Sequence, residues 1–393
     1  MSIHELALLL AVAGGVAVAA LALEPLARRL GVPTPLAFLL GGLALGQVWS
    51  GSHAAARPDV IAIFGTVALI VVLLHGGFAC GLTAVRRQIA PVLVLGIAGT
   101  AATFGLVAVA AHTVAGLDWT QSLLLGAVLS PTDPAAVFAA VSRAGAGGAR
   151  IVRVLEAEAG FNDPVSIALT LALVSAAATG TISASSIAWT TGRELVVGSV
   201  VGLLAGLLAA RVLGPRRPAV AMAPALAVLA GAFATYGVGV LAHGSGFVAV
   251  YLFGLVIGDD SDLPEVDVVH SFSEQLASLA EIAMFVLLGV ALAQVPLRGA
   301  IVDAVVLALV LVFLIRPVFT YPVLRAFRRT PLEATFATVG GLKGAVPILL
   351  AALPLEAHLD GSERIFALAG LVVLASLALQ GPVVARLAPR VAE

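Results

Sequence analysis

Residues 121–141 read QSLLLGAVLSPTDPAAVFAAV, an apolar run interrupted at its centre by Ser130-Pro131-Thr132-Asp133-Pro134. A helix needs about 20 apolar residues to cross the hydrocarbon core of a bilayer, so this run is long enough to span. Its two prolines remove backbone donors and disfavour helix before them, so the span is predicted to break in the middle. A second run, 331–354, is interrupted in the same way by GGLKGAVP at 340–347. Two interrupted helices at corresponding positions of opposed halves are the sequence pattern of a transporter's binding site.

The surroundings of these two runs are equally apolar. Hydrophobic residues make up 61% of the 393 positions and charged residues 11%. A soluble domain carries about 25% charge, so most of this chain is expected to face lipid. The apolar runs are far longer than strands and do not alternate, which excludes a closed barrel. Thirteen runs are predicted as helices, near 3–23, 34–49, 59–80, 90–115, 120–143, 151–178, 187–212, 218–241, 244–258, 272–294, 299–325, 331–354 and 363–387. The fold class expected is an all-α polytopic membrane protein, a single transport domain over 1–393. Within it, inverted repeats are expected near 1–178 and 218–393, with 187–212 as a linking helix. The interrupted runs lie seven helices apart, and an odd offset points the two copies in opposite directions.

Placing the N-terminus outside puts 15 of the 21 Lys and Arg residues in or beside cytoplasmic connections, as the positive-inside rule requires. The acidic connection Asp259, Asp260, Asp262, Glu265 and Asp267 also falls inside, where acids weigh little on orientation, and reads as a solvated loop. The start, Met1-Ser2-Ile3-His4-Glu5, lacks the basic region of a cleaved signal, so 3–23 reads as a permanent helix. No hydrophilic tail follows the last run, and no C-terminal cytosolic regulatory domain is expected. Net charge of −1 gives no reason to expect nucleic acid, and the single Cys80 excludes an intrachain disulfide. The partner expected is the lipid bilayer; no cofactor is expected.

Six ionisable groups stand out within the runs: Asp133, Glu156, Glu158, Asp163, Arg316 and Lys343. Each is disfavoured by roughly 2.5–3.5 kcal/mol at a helix centre, so each needs a partner, water or neutralisation. Four acids against two bases leave two acids that require a proton or a bound cation. Glu158 and Asn162 are four apart and share a helix face, with Asp163 turned about 100° from Asn162. Pro164 cannot donate to the carbonyl of Gly160, which leaves an oxygen acceptor beside the acid. A carboxylate that holds either H⁺ or a cation, but not both, is a minimal exchanger. Thr132 offers hydroxyl and backbone oxygens suited to Na⁺ or K⁺. Asp133 is placed either to meet the ion or to neutralise half-helix N-termini, and Lys343 to neutralise the C-termini within 331–354. Glu156 lies two turns before Asp163, and His75 reads as an interhelical hydrogen-bonder or a pH-tuning group. His243 reads as a loop residue.

The motifs LSPTDPAAV at 129–137, EAEAGFNDP at 156–164, GSGFVAVYLFGLVIG at 244–258, MFVLLGV at 284–290 and GGLKGAVPILLA at 340–351 occur in an order that resembles the NhaP-type monovalent cation:proton antiporters, closest to the bacterial potassium/proton branch. The resemblance spans nearly the whole chain. It implies a homodimer of thirteen-helix protomers in the bacterial inner membrane, each with a core bundle that moves against a dimer-forming domain. It implies transport at Asn162 and Asp163, ion contact at Thr132, and a buried ion pair of Glu158 with either Arg316 or Lys343. Three positions depart from the pattern: His75 where relatives usually carry an acid, Lys343 where most have Arg, and Ala159 where many have Ser.

The function expected is secondary antiport of Na⁺ or K⁺ against H⁺, electroneutral because a single Asp carries the exchange. The alternatives are a cation channel or an intramembrane aspartyl protease using Asp133 and Asp163. A channel filter normally needs rings of carbonyls, and no repeated filter sequence is present. His243-Gly244-Ser245-Gly246 lacks the spacing of a nucleophile elbow, so no enzyme is expected.

Overall fold

The structure, a computed structural model, describes residues 33–48, 56–133, 150–180, 182–213, 224–259 and 265–392, with isolated positions 14, 15, 18 and 137. Every regular element among the described residues is helical. In chain order they are α1 (Thr34–Val48), α2 (Pro58–Cys80), α3 (Ile89–Val114), α4 (Trp119–Val128), α5 (Arg150–Ala178), α6 (Ala184–Leu213), α7 (Pro224–Leu241) and α8 (Gly246–Gly258). They continue as α9 (Val266–Leu292), α10 (Ile301–Ala326), α11 (Pro331–Val339), α12 (Ala345–Glu356) and α13 (Ser362–Ala392). A short helix, Leu82–Arg87, joins α2 to α3.

Eight of these helices, α2, α3, α5, α6, α7, α9, α10 and α13, are long and apolar enough to cross a membrane. Twelve of the thirteen runs read from the sequence have a counterpart. The first, 3–23, lies outside the described residues apart from three helical positions, as do Arg28, Arg29, Arg143, Arg216 and Arg217. One boundary needs correction. α9 begins at Val266, six residues before the expected start, so Asp267 is helical rather than in a loop. The physical reason is that an acid in the first turn is stabilised by the unpaired N–H groups there. Asp260 and Asp262 of the same acidic stretch lie outside the described residues. His243 is in the turn between α7 and α8, exposed and with φ of 59°, as a loop residue should be.

The helices pack as two groups. α1, α2, α6, α7, α8 and α9 contact one another, α9 lying along α1 and α2 while α8 fills the space between α2 and α6. α3, α4, α5, α10, α11, α12 and α13 form the second group. Close helix approach in the first group depends on glycine. A Cβ on Gly254 of α8 would meet the Leu74 carbonyl at 2.7 Å, so α2 and α8 touch backbone to backbone. Across the boundary between the groups, α12 and α5 pack on α2, α5 also on α6 and α8, and α9 on α12.

Two π turns interrupt the second group, Val94–Gly99 in α3 and Leu311–Ile315 in α10. Such turns insert a residue and re-aim the side chains that follow. The second ends immediately before Arg316, the one basic residue of α10 that is turned inward and buried.

Candidate functional site

Both interrupted runs are broken where the prolines and glycines predict. α4 starts at an Asp118 cap, whose carboxylate accepts from Gln121 N at 2.8 Å, and ends at Val128. Residues 130–133 are non-helical, and 134–136 lie outside the described residues. α11 starts with a capping box between Thr330 and Glu333 and ends at Val339. Residues 341–344 are non-helical before α12 begins. The two breaks meet: Asp133 N donates to Leu342 O at 2.8 Å.

Each break supplies the cap that the other lacks. The N-cap of α12 is Gly344, which has no side chain with which to cap. The Asp133 carboxylate lies against it, so close that any Cβ on Gly344 would overlap its Oδ2, Cβ and Cγ. A carboxylate there offsets the positive end of the α12 dipole. In the other direction, Lys343 Nζ donates to Ser130 O at 3.2 Å and Pro131 O at 2.8 Å, the carbonyls just past the end of α4. The expected role of Lys343 at the C-terminal carbonyls of its own run is therefore corrected. Those carbonyls go to Arg316, which donates from Nε to Thr338 O at 3.3 Å and from Nη2 to Ala337 O at 3.5 Å. Lys343 reaches across from the non-helical segment, where its N–H is held by Ser376 Oγ at 3.1 Å. Ser376 in turn donates to Gln380 Oε1 at 2.5 Å, and Gln380 Nε2 caps Val339 O at 2.8 Å.

Gly344→Ala is expected to force Asp133 off the α12 terminus and lower stability by about 1–3 kcal/mol, the usual penalty of overpacking. A fall in the melting temperature of the detergent-solubilised protein would register it; an unchanged melt would contradict the close contact.

α5 runs past the crossing and continues through Pro164. Asn162 Nδ2 donates to Thr132 Oγ1 at 2.7 Å, and Thr132 N lies 3.4 Å from Asn162 Oδ1. The Asn thus ties α5 to the first break and fixes the Thr132 hydroxyl. Asp163, next in sequence, is 8% exposed, and its buried Oδ1 has no hydrogen-bond partner among the described residues. Its charged neighbours are Asp133 and Lys343. Glu158, one turn before Asn162, pairs with Arg316, Oε1 to Nη1 at 2.9 Å, both buried. The choice left open by the sequence thus falls on Arg316, since Lys343 is occupied with the α4 carbonyls.

The sequence-derived residues therefore divide. Thr132, Asp133, Asn162, Asp163 and Lys343 are brought together at the crossing, and Glu158 with Arg316 lies beside it. Glu156 is half-buried with Arg153 as its charged neighbour, and faces Cys80 of α2 and Tyr251 of α8. His75 lies on α2, its Nδ1 3.2 Å from Ser273 Oγ of α9 and its ring 5.6 Å from that of His270. Those are the contacts of an interhelical hydrogen-bonder.

One acid was missed. Glu281 of α9 lies within the predicted run 272–294, is half-buried, and has Asp133 as its charged neighbour. The tally of six ionisable groups is thus corrected: Glu281 also belongs to the interior. The rule that flagged the other acids would have found it, since SLAEIAMF holds one carboxylate in apolar surroundings.

Comparison with known proteins places this geometry. The family described as "Sodium/hydrogen exchanger, transmembrane" matches residues 15–389. The K(+)/H(+) antiporter NhaP of Alkalimonas amylolytica is 34% identical over 357 residues, covering 91% of this chain and 62% of that protein. The K(+)/H(+) antiporter NhaP2 of Shewanella sp. (strain ANA-3) is 30% identical over 362 residues, again 91% of this chain and 62% of the relative. The chain thus spans less than two thirds of the length of these relatives. The solved sodium proton antiporter MjNhaP1 of Methanocaldococcus jannaschii superposes with a TM-score of 0.82 at 24% identity, covering 96% of this chain and 99% of that one. That likeness establishes the fold.

Proposed function

This chain belongs to the transmembrane sodium/hydrogen exchanger family, and on that footing we propose that it exchanges a monovalent cation, Na⁺ or K⁺, for H⁺ by alternating access at Asp163. It is a multi-pass membrane protein. The observation that carries the proposal is the Asp163 carboxylate, buried with one oxygen unpartnered beside the crossing of two interrupted helices. An isolated charge in such surroundings is strongly disfavoured, so the group holds a proton or a cation. Lys343 makes no ion pair with it among the described residues; its ammonium donates instead to two carbonyls.

The cycle follows from this requirement. Asp163 takes a proton from one side, the bundle carrying it shifts, and the proton leaves to the other side. A cation then binds Asp163 with oxygens of the Thr132 segment and is carried back. The empty, charged site moves poorly, and that inequality couples the two fluxes. The Asn162–Thr132 bond holds the hydroxyl ligand in place. One proton per cation makes the exchange electroneutral. Under the same reading the N-terminus lies outside the bacterial inner membrane, and two protomers associate.

Purified protein in liposomes loaded with a pH-sensitive dye provides the test, with Li⁺, Na⁺, K⁺ and Rb⁺ added in turn under a clamped or free membrane potential. Dequenching with Na⁺ or K⁺ that is insensitive to the clamp is the expected result. Unitary currents, or no cation-dependent proton flux under any condition, would overturn it.

A further inference from the structure

We infer that Glu281 is a further carboxylate serving the transported cation, presented to Asp163's bundle from the opposite helix group. The inference rests on the antiport reading above. Its first support is position. Among the buried residues of α9, Val269, Ser273, Ala277, Phe285 and Gly289 fall at intervals of four or eight along the helix. Glu281 is four residues after Ala277 and four before Phe285, so it belongs to that inward stripe. Leu279, on another side of the helix, is 56% exposed. The carboxylate therefore points into the protein rather than toward lipid.

The second support is the lack of a fixed base. Glu281 has no hydrogen bond or ion pair among the described residues, and the charge acting on it is Asp133. The other charges of the interior are committed: Arg316 to Glu158 and to the α11 carbonyls, Lys343 to the α4 carbonyls. Asp133 is the charged neighbour of both Glu281 and Asp163, so both acids lie near one carboxylate of the crossing. A cation arriving at the crossing meets negative charge from both groups of helices.

The third support is the boundary itself. α9 contacts α12 across it, and Asp133 stands at the α12 terminus. Because Glu281 is on the far side, its carboxylate does not travel with Asp163. It favours cation arrival in the position seen here and is left behind when the bundle shifts. The affinity for the cation then differs between the two positions, while the charge carried per cycle stays the same.

The experiment is liposomal exchange with Na⁺ and K⁺ titrations on wild type, Glu281→Gln, Glu281→Asp and Asp163→Asn. Glu281→Gln is expected to raise the apparent KM for the cation about tenfold, equivalent to ~1.4 kcal/mol of lost attraction. Its maximal rate should change much less, and Glu281→Asp should recover most of the affinity. A residue that merely stabilises α9 would lower the rate of both variants and leave KM alone, which would overturn the inference. Should Glu281→Gln fail to fold, Glu281→Ala removes the same charge, and an unchanged KM there would overturn it equally. Persistent exchange in Asp163→Asn would instead sink the antiport mechanism, so the two failures are distinguishable.

Discussion

Asp163→Asn is expected to reduce cation-dependent proton flux to the level of empty liposomes while leaving the protein folded. Asparagine has the shape of aspartate, and the Asn162–Thr132 tie and the Glu158–Arg316 pair do not involve this side chain. Only the ability to alternate between a neutral, protonated form and a charged, cation-binding form is lost. Burial makes that ability matter. A carboxylate with one oxygen unpartnered is unstable without a proton or cation, whereas an amide is neutral in every state. The melting temperature of the variant should therefore match or exceed that of the wild type. Exchange that survives at even a few per cent above background would mean that another carboxylate carries the proton. A variant that melts early would place Asp163 in the framework of the fold.

The second large effect is on stability. Removing one member of the buried Glu158–Arg316 pair is expected to destabilise by about 3–5 kcal/mol, because the remaining charge stays buried without its counterion. Arg316→Ala should be worse than Glu158→Gln. It strands Glu158, whose Oε2 is already unpartnered, and it uncaps the carbonyls of Ala337 and Thr338 together. The double variant Glu158→Gln with Arg316→Ala should cost much less than the two single changes added, since no net charge is left inside. Thermal or denaturant melts of the four proteins decide the matter. Additive losses would show that the two residues act on different parts of the molecule.

How much of this was legible depended on whether the informative residues were neighbours in the chain. Asn162, Asp163 and Pro164 are consecutive, so an acid beside a helix-perturbing proline could be recognised without coordinates. The two breaks were equally plain, because Pro131, Pro134, Gly340, Gly341 and Gly344 act on their own backbone. The partner of Glu158 was not legible. Arg316 and Lys343 carry the same charge, and the choice depends on which lies across from α5. Lys343 was misassigned for a related reason: its carbonyl partners belong to the other break, and helix-end arguments made within one segment cannot see a cap supplied in trans. Glu281 has no Pro, Gly or second polar group at its side, so nothing local marked it, although its charge alone was sufficient reason to ask where it went. The early start of α9 was hidden because an acid-rich stretch reads equally as a loop or as the first turn of a helix.

The exchange of caps at the crossing has a mechanical consequence. Asp133 and Lys343 each terminate a helix that the other's segment belongs to, and a backbone hydrogen bond stitches the two strands between them. Bending either break alone would uncover a helix end in a medium with no water to take its place. The half-helices are riveted into one stiff block, so the hinge that the proposed cycle requires is not expected at the breaks. In the proposed cycle the motion therefore falls at the seam where α12 and α5 pack on α2, α8 and α9, and the cargo would ride inside a part that does not itself deform.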